Sequence, residues 1–418
     1  MGLAECCDDF ARDAVRLTAS NIGDFARGLP AKARLVLHAA LSLPKGSLAV
    51  KMPDGRAFRI VGRQAGPDAS VILKNWNLPR KALTGGTIAV AETYMDGDWE
   101  SPDVTAFLSL FLVNEDLGIR LATANRVFST ANAIRHWFNR NTRRGSRKNI
   151  AAHYDLGNAF YAQWLDPSMT YSSALYVNGA NSLEQAQAEK YRALAEAANM
   201  GPNDHVLEIG CGWGGFAEFA AREIGCKVTG LTISREQFDY ATRRIAQAGL
   251  SGRVTLKLQD YREERGTYDR IASIEMFEAV GEKYWPVWFS TLRDRLKPAG
   301  IAAAQIITIN DRAFPAYRSS PDFIQRYIFP GGMLPSPSAL DAQAAAAGLK
   351  QTALRVFPQD YARTLAEWRD RFHAAWANIE PLGFDRRFRR MWEFYLYYCE
   401  AGFSTAFIDV RQVAWRRS

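Results

Sequence analysis

The stretch of this chain best suited to holding a ligand runs from Val206 to Gly215, where the apolar Val206-Leu-Glu-Ile209 leads into Gly210, Gly212, Gly214 and Gly215. Glycines that open a helix after a strand let backbone approach a ligand closely, so a nucleotide-like cofactor is expected there. Glu208 is the acid beside the turn. Further along, Gly230-Leu-Thr-Ile-Ser234 ends without the acid that would bind ribose hydroxyls, which leaves Thr232 and Gln237 as polar substitutes. Ser234-Arg-Glu-Gln237 also reads as a capping box, in which the Gln237 amide closes the helix start. After the third strand, Gln259-Asp260-Tyr261 offers a carboxylate and a ring, although an Asp at a strand end also serves as a turn or cap residue. His153 has no partner at metal-ligand spacing, and neither Cys6-Cys7 nor Cys211, Cys226 and Cys399 has zinc-site spacing. No metal is expected.

These groups need elements to position them. From His205 onward the pattern alternates strands with helices, and strands are predicted at His205–Gly210, Lys227–Ile233, Arg253–Gln259, Arg270–Glu275 and Ile301–Ile309, the first four each followed by a helix. That is an α/β fold with a doubly wound parallel sheet. Pro298 and Gly300 punctuate the turn before the fifth strand, and Asn310 to Pro337, rich in Pro and Gly, reads as an insertion over the ligand site. Tyr361–Asn378 and Phe384–Gly402 read as aromatic-rich helices. Upstream, short strands are predicted at Leu48–Met52, Ala57–Val61, Ser70–Leu73 and Thr87–Val90, with a hairpin signal at Asp54-Gly55 and with Gly85-Gly86 before the last. Residues 103–138 look helical. Arg135 to Lys148 carries six Arg or Lys and no acid, the composition of a linker, and puts a boundary between a smaller N-terminal α+β domain at 1–140 and a second domain at 141–418.

With 418 residues, 48% of them hydrophobic, the chain has enough apolar material for two packed domains. Its 52 Lys and Arg against 44 Asp and Glu give a formal charge of +8, which favours an anionic partner, either nucleic acid or an acidic membrane surface. The start carries Glu5, Asp8 and Asp9 without an apolar stretch, so no secretory signal is expected. The apolar run Val104 to Val113 falls short of the roughly 20 residues that span a bilayer, so membrane contact is expected to be peripheral. Five cysteines, an odd number, fit a reducing cytoplasm better than a disulfide framework.

The glycine turn resembles the first motif of class I methyltransferases. A longer series makes the resemblance more specific: His153-Tyr-Asp-Leu-Gly-Asn158, Leu165-Asp-Pro167, Thr170-Tyr-Ser172, the glycine turn, Leu231-Thr-Ile-Ser234, Leu258-Gln-Asp-Tyr261, Met276-Phe-Glu-Ala-Val-Gly281 and Tyr327-Ile-Phe-Pro-Gly-Gly332. In that order, over about residues 150 to 418, the chain resembles the cyclopropane fatty acid synthases and mycolic acid cyclopropane synthases. Its first part is similar to the extra N-terminal domain of the phospholipid-acting members. The resemblance implies a class I, Rossmann-like methyltransferase fold and S-adenosylmethionine as cofactor, held by Tyr171, Ser172, Glu208, Gly210, Gly212, Gly214, Thr232, Ile233, Gln237, Asp260, Tyr261 and Ile274. It implies an unsaturated acyl chain of a membrane phospholipid as acceptor, with no nucleic acid partner. It also suggests a homodimer formed through the N-terminal domain.

Such an acceptor explains an aromatic site. An alkene has no proton to lose before attack, so its π electrons take the sulfonium methyl directly in a water-free pocket. The carbocation that results is stabilised by ring faces until a base removes a proton. The resemblance implies that this base is bicarbonate, held by a Glu, a Tyr, a His and two Cys. The Glu, Tyr and second Cys match Glu278, Tyr361 and Cys399, whereas Ser173 stands at the first Cys position and Gln305 at the His position. Gln never becomes cationic and Ser is a far weaker acid than Cys, which puts bicarbonate use in question. The expectation is that the cation still forms but that proton loss is redirected, giving a methyl-branched alkene or an exocyclic methylene instead of a ring. For docking from the cytoplasmic face, Arg135 to Lys148 with Trp137 and Phe138 comes first, then Arg386, Arg387, Arg389 and Arg390.

Overall fold

A computed structural model describes residues 10–11, 13–114 and 156–417, apart from the side chains of 83 and 84. Arg135 to Lys148, the boundary expected near 140, Cys6, Cys7 and His153 lie outside the described residues. The chain forms two compact units. One comprises Met1–Ile134, Ser320–Arg326 and Gly383–Phe407, and the other Arg135–Ser319, Tyr327–Leu382 and Ile408–Ser418.

The first unit is built on strands β1 (Val15–Arg16), β2 (Lys45–Lys51), β3 (Ala57–Val61), β4 (Gln64–Leu73) and β5 (Trp99–Glu100), in the order β1-β3-β2-β4-β5. The Asp54-Gly55 turn joins the antiparallel pair β2 and β3, with Gly55 at φ +88° and its N–H donating to the Met52 carbonyl. Thr87 to Val90 is not a strand. It lies within the helix Asn77–Met95, where buried Ile88, Ala91 and Met95 recur at helical spacing and only Gly86 departs, at φ 54° and ψ −142°. Packing of that face outweighs the turn signal of the paired glycines, which produce a kink and no break.

The helix Arg386–Ser404, capped by Asp385, packs on the helices Asn77–Met95 and Val104–Leu112 of this unit. Three of the four arginines expected to meet headgroups are engaged here. Arg390 donates to the Tyr94 carbonyl at 2.5 Å and to the Trp99 carbonyl at 3.2 Å while stacking 4.1 Å from the Tyr94 ring centroid. Arg387 pairs with Asp96 and Arg389 with Glu393. Arg386 is exposed.

The second unit carries a seven-stranded sheet: β6 (His205–Ile209), β7 (Lys227–Thr232), β8 (Val254–Leu258), β9 (Tyr268–Ile274), β10 (Leu296–Ile309), β11 (Leu349–Val356) and β12 (Ile408–Arg417), ordered β11-β12-β10-β9-β6-β7-β8. The first five run parallel, as expected of a doubly wound sheet. The last two add an antiparallel edge that the sequence pattern did not announce: Arg411, Gln412 and Arg416 interrupt the apolar run of β12. Between β8 and β9 stands only a 3-10 turn, Tyr261–Glu263, in place of the expected helix. β10 begins earlier than expected, at Leu296, and Pro298 and Gly300 sit in a register shift within it, beside Ala299 at φ +61°. One apolar layer, including Leu207, Ile271, Phe277, Trp288 and Trp415, packs on one side of the sheet, and a second, including Val206, Phe216, Val228 and Ile245, on the other. The strand order reverses between β6 and β9, and a crevice outside the carboxyl ends at such a point is where α/β sheets bind ligands. Among the described residues, no helix is long and apolar enough to cross a membrane.

Candidate active site

The carboxyl end of β6 delivers Glu208 and the glycine turn. Gly210, Gly212 and Gly214 take φ values of +85°, +52° and +85°, a region that disfavours any side chain. A methyl group on Gly210 would lie 2.6 Å from Met276 Cγ and one on Gly214 3.1 Å from Ala241 Cβ, whereas one on Gly212 would meet nothing within 4 Å. The turn is therefore packed behind and open at its middle. Beside it, Glu208 is 3% exposed and its Oε2 has no hydrogen-bond partner. Burial pushes this carboxyl up to about 8, against the opposing pull of Lys190 and Arg244. An unsatisfied carboxylate oxygen next to an open glycine turn fits the ammonium of the methionine portion of S-adenosylmethionine.

Around the rim of the sheet, the Thr232 hydroxyl donates to Gln237 Oε1 at 3.0 Å. Ser234 Oγ accepts from Gln237 N, so half of the capping box forms, while the Gln237 side chain turns to the strand end at Thr232. Ile233, half-buried, follows the last residue of β7. Asp260 caps the 3-10 turn through Arg262 N and takes both Nε and Nη2 of the Arg262 guanidinium. The neighbouring Tyr261 hydroxyl is buried without a partner.

An aromatic wall adjoins the turn. Tyr171 packs against Tyr161, Trp164 and Trp368, with centroids 5.4, 5.6 and 5.4 Å away, and Tyr161 packs against Trp213 of the turn at 5.1 Å. The Trp213 indole donates to Asn158 Oδ1, which ties the end of the motif beginning at His153 to the glycine turn. Phe329 faces Tyr171 at 6.4 Å.

The residue after β9 gathers the rest. Ile274 ends that strand, paired with Gln305 of β10, and Glu275 follows it at φ +46°. The Glu275 carboxylate accepts from Ser173 N at 2.8 Å and Gln305 Nε2 at 2.7 Å on one oxygen, and from the Tyr361 hydroxyl at 2.6 Å on the other. Gln305 is further held by Gln412 Nε2, which donates to its carbonyl oxygen. Burial raises the Glu275 carboxyl, and Lys190, Tyr361 and Gln305 pull it back. Lys190, fully buried, donates to Ser172 Oγ at 2.6 Å, and its ammonium is brought down to about 7 by burial against the attraction of Glu275, Asp166 and Glu208.

Ser173, Gln305 and Tyr361 therefore converge as expected residues, but on Glu275, which the motif reading passed over. Glu278 stands apart from that carboxylate's donors. Its Oε1 accepts from Ile307 N at 2.6 Å, its Oε2 is buried without a partner, and burial followed by the charge of Glu275 pushes it up to about 8. Cys399 lies half-buried on the helix Arg386–Ser404, in the first unit. Two signals pointed to the missed residues: the Glu275-x-x-Glu278 spacing at a strand end, and Lys190 on the buried face of the helix Leu183–Ala197, where a lysine needs a polar partner.

A family model described as mycolic acid cyclopropane synthetase matches residues 141–413. The tuberculostearic acid methyltransferase UfaA1 of Mycobacterium tuberculosis is 38% identical over 345 residues, 80% of this chain and 80% of that protein. The cyclopropane-fatty-acyl-phospholipid synthase of Escherichia coli K12 is 35% identical over 386 residues, 88% of this chain and 95% of that protein. Among solved structures, mycolic acid cyclopropane synthase CmaA1 complexed with SAH and CTAB matches with a TM-score of 0.61 and 28% identity, covering 65% of this chain and 98% of its own.

Proposed function

The chain belongs to the mycolic acid cyclopropane synthetase family of S-adenosylmethionine-dependent methyltransferases, and we propose that it methylates the double bond of an unsaturated acyl chain while that chain is part of a membrane phospholipid. The observation that carries this reading is the continuity from the unsatisfied Glu208 and open glycine turn, through Trp213 and Tyr161, to the ring faces of Tyr171 and Trp368. A cofactor site adjoins an aromatic one, as a reaction passing through a carbocation requires.

When bound, S-adenosylmethionine supplies an electrophilic sulfonium methyl. Glu208 holds the ammonium end, and the bare Cα of Gly212 leaves room for the ligand. The aromatic wall excludes water and presents electron-rich faces to the cation formed on the acyl chain; each such contact contributes on the order of 0.5–2 kcal/mol. Ser173 and Gln305, standing where Cys and His are expected, favour redirected proton loss and thus a methyl-branched or methylene product. One similar protein is named for tuberculostearic acid and not for a ring. The N-terminal domain at 1–140, with Arg135 to Lys148, docks the chain peripherally on an anionic cytoplasmic membrane face.

The test is mass spectrometry of monounsaturated phospholipid vesicles incubated with the full chain and S-adenosylmethionine bearing a CD3 group. A ring or a methylene keeps two deuteriums and a branched alkene keeps three; hydrogenation separates the first two. Unlabelled lipid overturns the reading.

A further inference from the structure

A reaction that ends by removing a proton needs a base within reach of the cation, and in this chain one carboxylate is set up for that task by its surroundings. Glu275 accepts from Ser173 N, Gln305 Nε2 and the Tyr361 hydroxyl, groups supplied by three separate segments of the second unit. Gln305, itself completely buried, is locked by Gln412, and Gln412 also donates to the carbonyl of Lys190. Tyr361 packs edge-on against Trp368 at 6.1 Å, and Trp368 is part of the aromatic wall. The carboxylate thus sits one ring away from the faces assigned to the cation. Two details set it apart from an ordinary core acid. The residue keeps partial exposure although its carboxyl is buried among the three donors. It also adopts φ +46°, a left-handed conformation that a side chain with a β-carbon rarely takes and that tends to persist at functional positions.

We propose that Glu275 is the built-in base of this enzyme, its carboxylate occupying the place of a separate bicarbonate ion. This inference rests on the functional reading above. After the acyl double bond takes the methyl and the sulfur–carbon bond breaks, a carbon–hydrogen bond of the cation breaks in turn. Its electron pair forms the new carbon–carbon π or σ bond, and its proton passes to a Glu275 oxygen. Release of that proton to water as the product leaves restores the carboxylate. The three donors that would otherwise hold a small oxyanion are already satisfied, so no second anion is needed. Glu278, bound to the backbone of β10, is not the group on which those donors converge.

The experiment measures deuterated lipid and S-adenosylhomocysteine formed by the full chain in carbon dioxide-depleted buffer, with and without added bicarbonate. The wild-type chain is expected to turn over equally in both. Glu275→Gln, which keeps the shape but cannot take a proton, is expected to lose about 10²–10⁴-fold in turnover with S-adenosylmethionine affinity unchanged. Glu275→Gly, which suits the positive φ and opens the cradle, is expected to be equally slow alone and to regain at least tenfold on addition of bicarbonate, an effect that a merely structural role would not produce. A wild-type chain that depends on bicarbonate overturns the proposal, and so does Glu275→Gln at wild-type turnover. The wild-type comparison decides even where a variant fails to fold. A wild-type chain that labels no lipid in either buffer overturns instead the functional reading on which the proposal stands.

Discussion

Tyr361 donates to Glu275 Oε2 over 2.6 Å, and its hydroxyl is opposed across the carboxylate by Ser173 N and Gln305 Nε2 on Oε1. Removing the hydroxyl leaves one carboxylate oxygen short of a donor while the ring keeps its place against Trp368. A hydrogen bond to a charged group contributes about 1.5–3 kcal/mol. Tyr361→Phe should therefore lower kcat by about 10- to 150-fold with the cofactor Kd unchanged. Turnover at saturating substrate together with calorimetric titration checks this, and a kcat within twofold of wild type contradicts it.

Glu278 carries a pH signature of its own. Burial, reinforced by the charge of Glu275, lifts its folded pKa from 4.5 to about 8. Between those values the folded chain binds more protons than the unfolded one, so this group's contribution is full below pH 4.5 and declines as pH rises toward 8. Glu278→Gln does not titrate, yet retains a carbonyl oxygen for Ile307 N. The melting temperature of this variant relative to wild type should therefore climb from pH 5 to pH 8 and level off above. A difference that stays constant across the range counts against the burial of a protonated Glu278.

The parallel strands were legible because β6, β7 and β9 are short segments centred on apolar residues such as Val206, Val228 and Ile271 and bounded by glycine or polar turns. The glycine motif was legible because its chemistry is local. β12 was hidden because Arg411 is neutralised by Asp409 and Gln412 is satisfied by Gln305 and Lys190, partners more than a hundred residues away in two of the three cases. Glu275 was hidden for a related reason. Nothing in its immediate neighbours says that donors from positions 173, 305 and 361 will meet it, since that convergence depends on the β9–β10 pairing of Ile274 with Gln305 and on where Tyr361 enters its helix. Arg390 shows what a run of arginines does not reveal in sequence: two backbone carbonyls and a ring engage one of them.

From this follows a test of the helix Arg386–Ser404. Arg390→Met removes the side-chain donor to the Trp99 carbonyl and one of two donors to the Tyr94 carbonyl, which keeps Gly97 N, and removes the stacking on Tyr94, at a cost of about 1–3 kcal/mol. The melting temperature of the first unit should fall, while the salt dependence of binding to anionic vesicles should stay as in wild type. Vesicle co-sedimentation over a salt series, run beside calorimetric melts, reads both. A variant with unchanged melting but weaker, less salt-dependent binding would return Arg390 to the role of a headgroup ligand.

The glycine turn allows space and conformation to be separated. Gly210→Ala and Gly212→Ala both force a β-carbon into positive φ, which costs about 1–2 kcal/mol at each position. Beyond that, the two differ. The new methyl at 210 lies 2.6 Å from Met276 Cγ and must displace it, while the one at 212 enters open space. Gly210→Ala should therefore show the larger loss of melting temperature. Gly212→Ala should show the larger loss of S-adenosylmethionine affinity relative to its stability, at least tenfold by calorimetric titration, because its methyl occupies volume that the ligand needs. Wild-type affinity in Gly212→Ala would mean that the cofactor does not approach the turn at its open middle, and the fit argued from the unsatisfied oxygen of Glu208 would have to be met from another side.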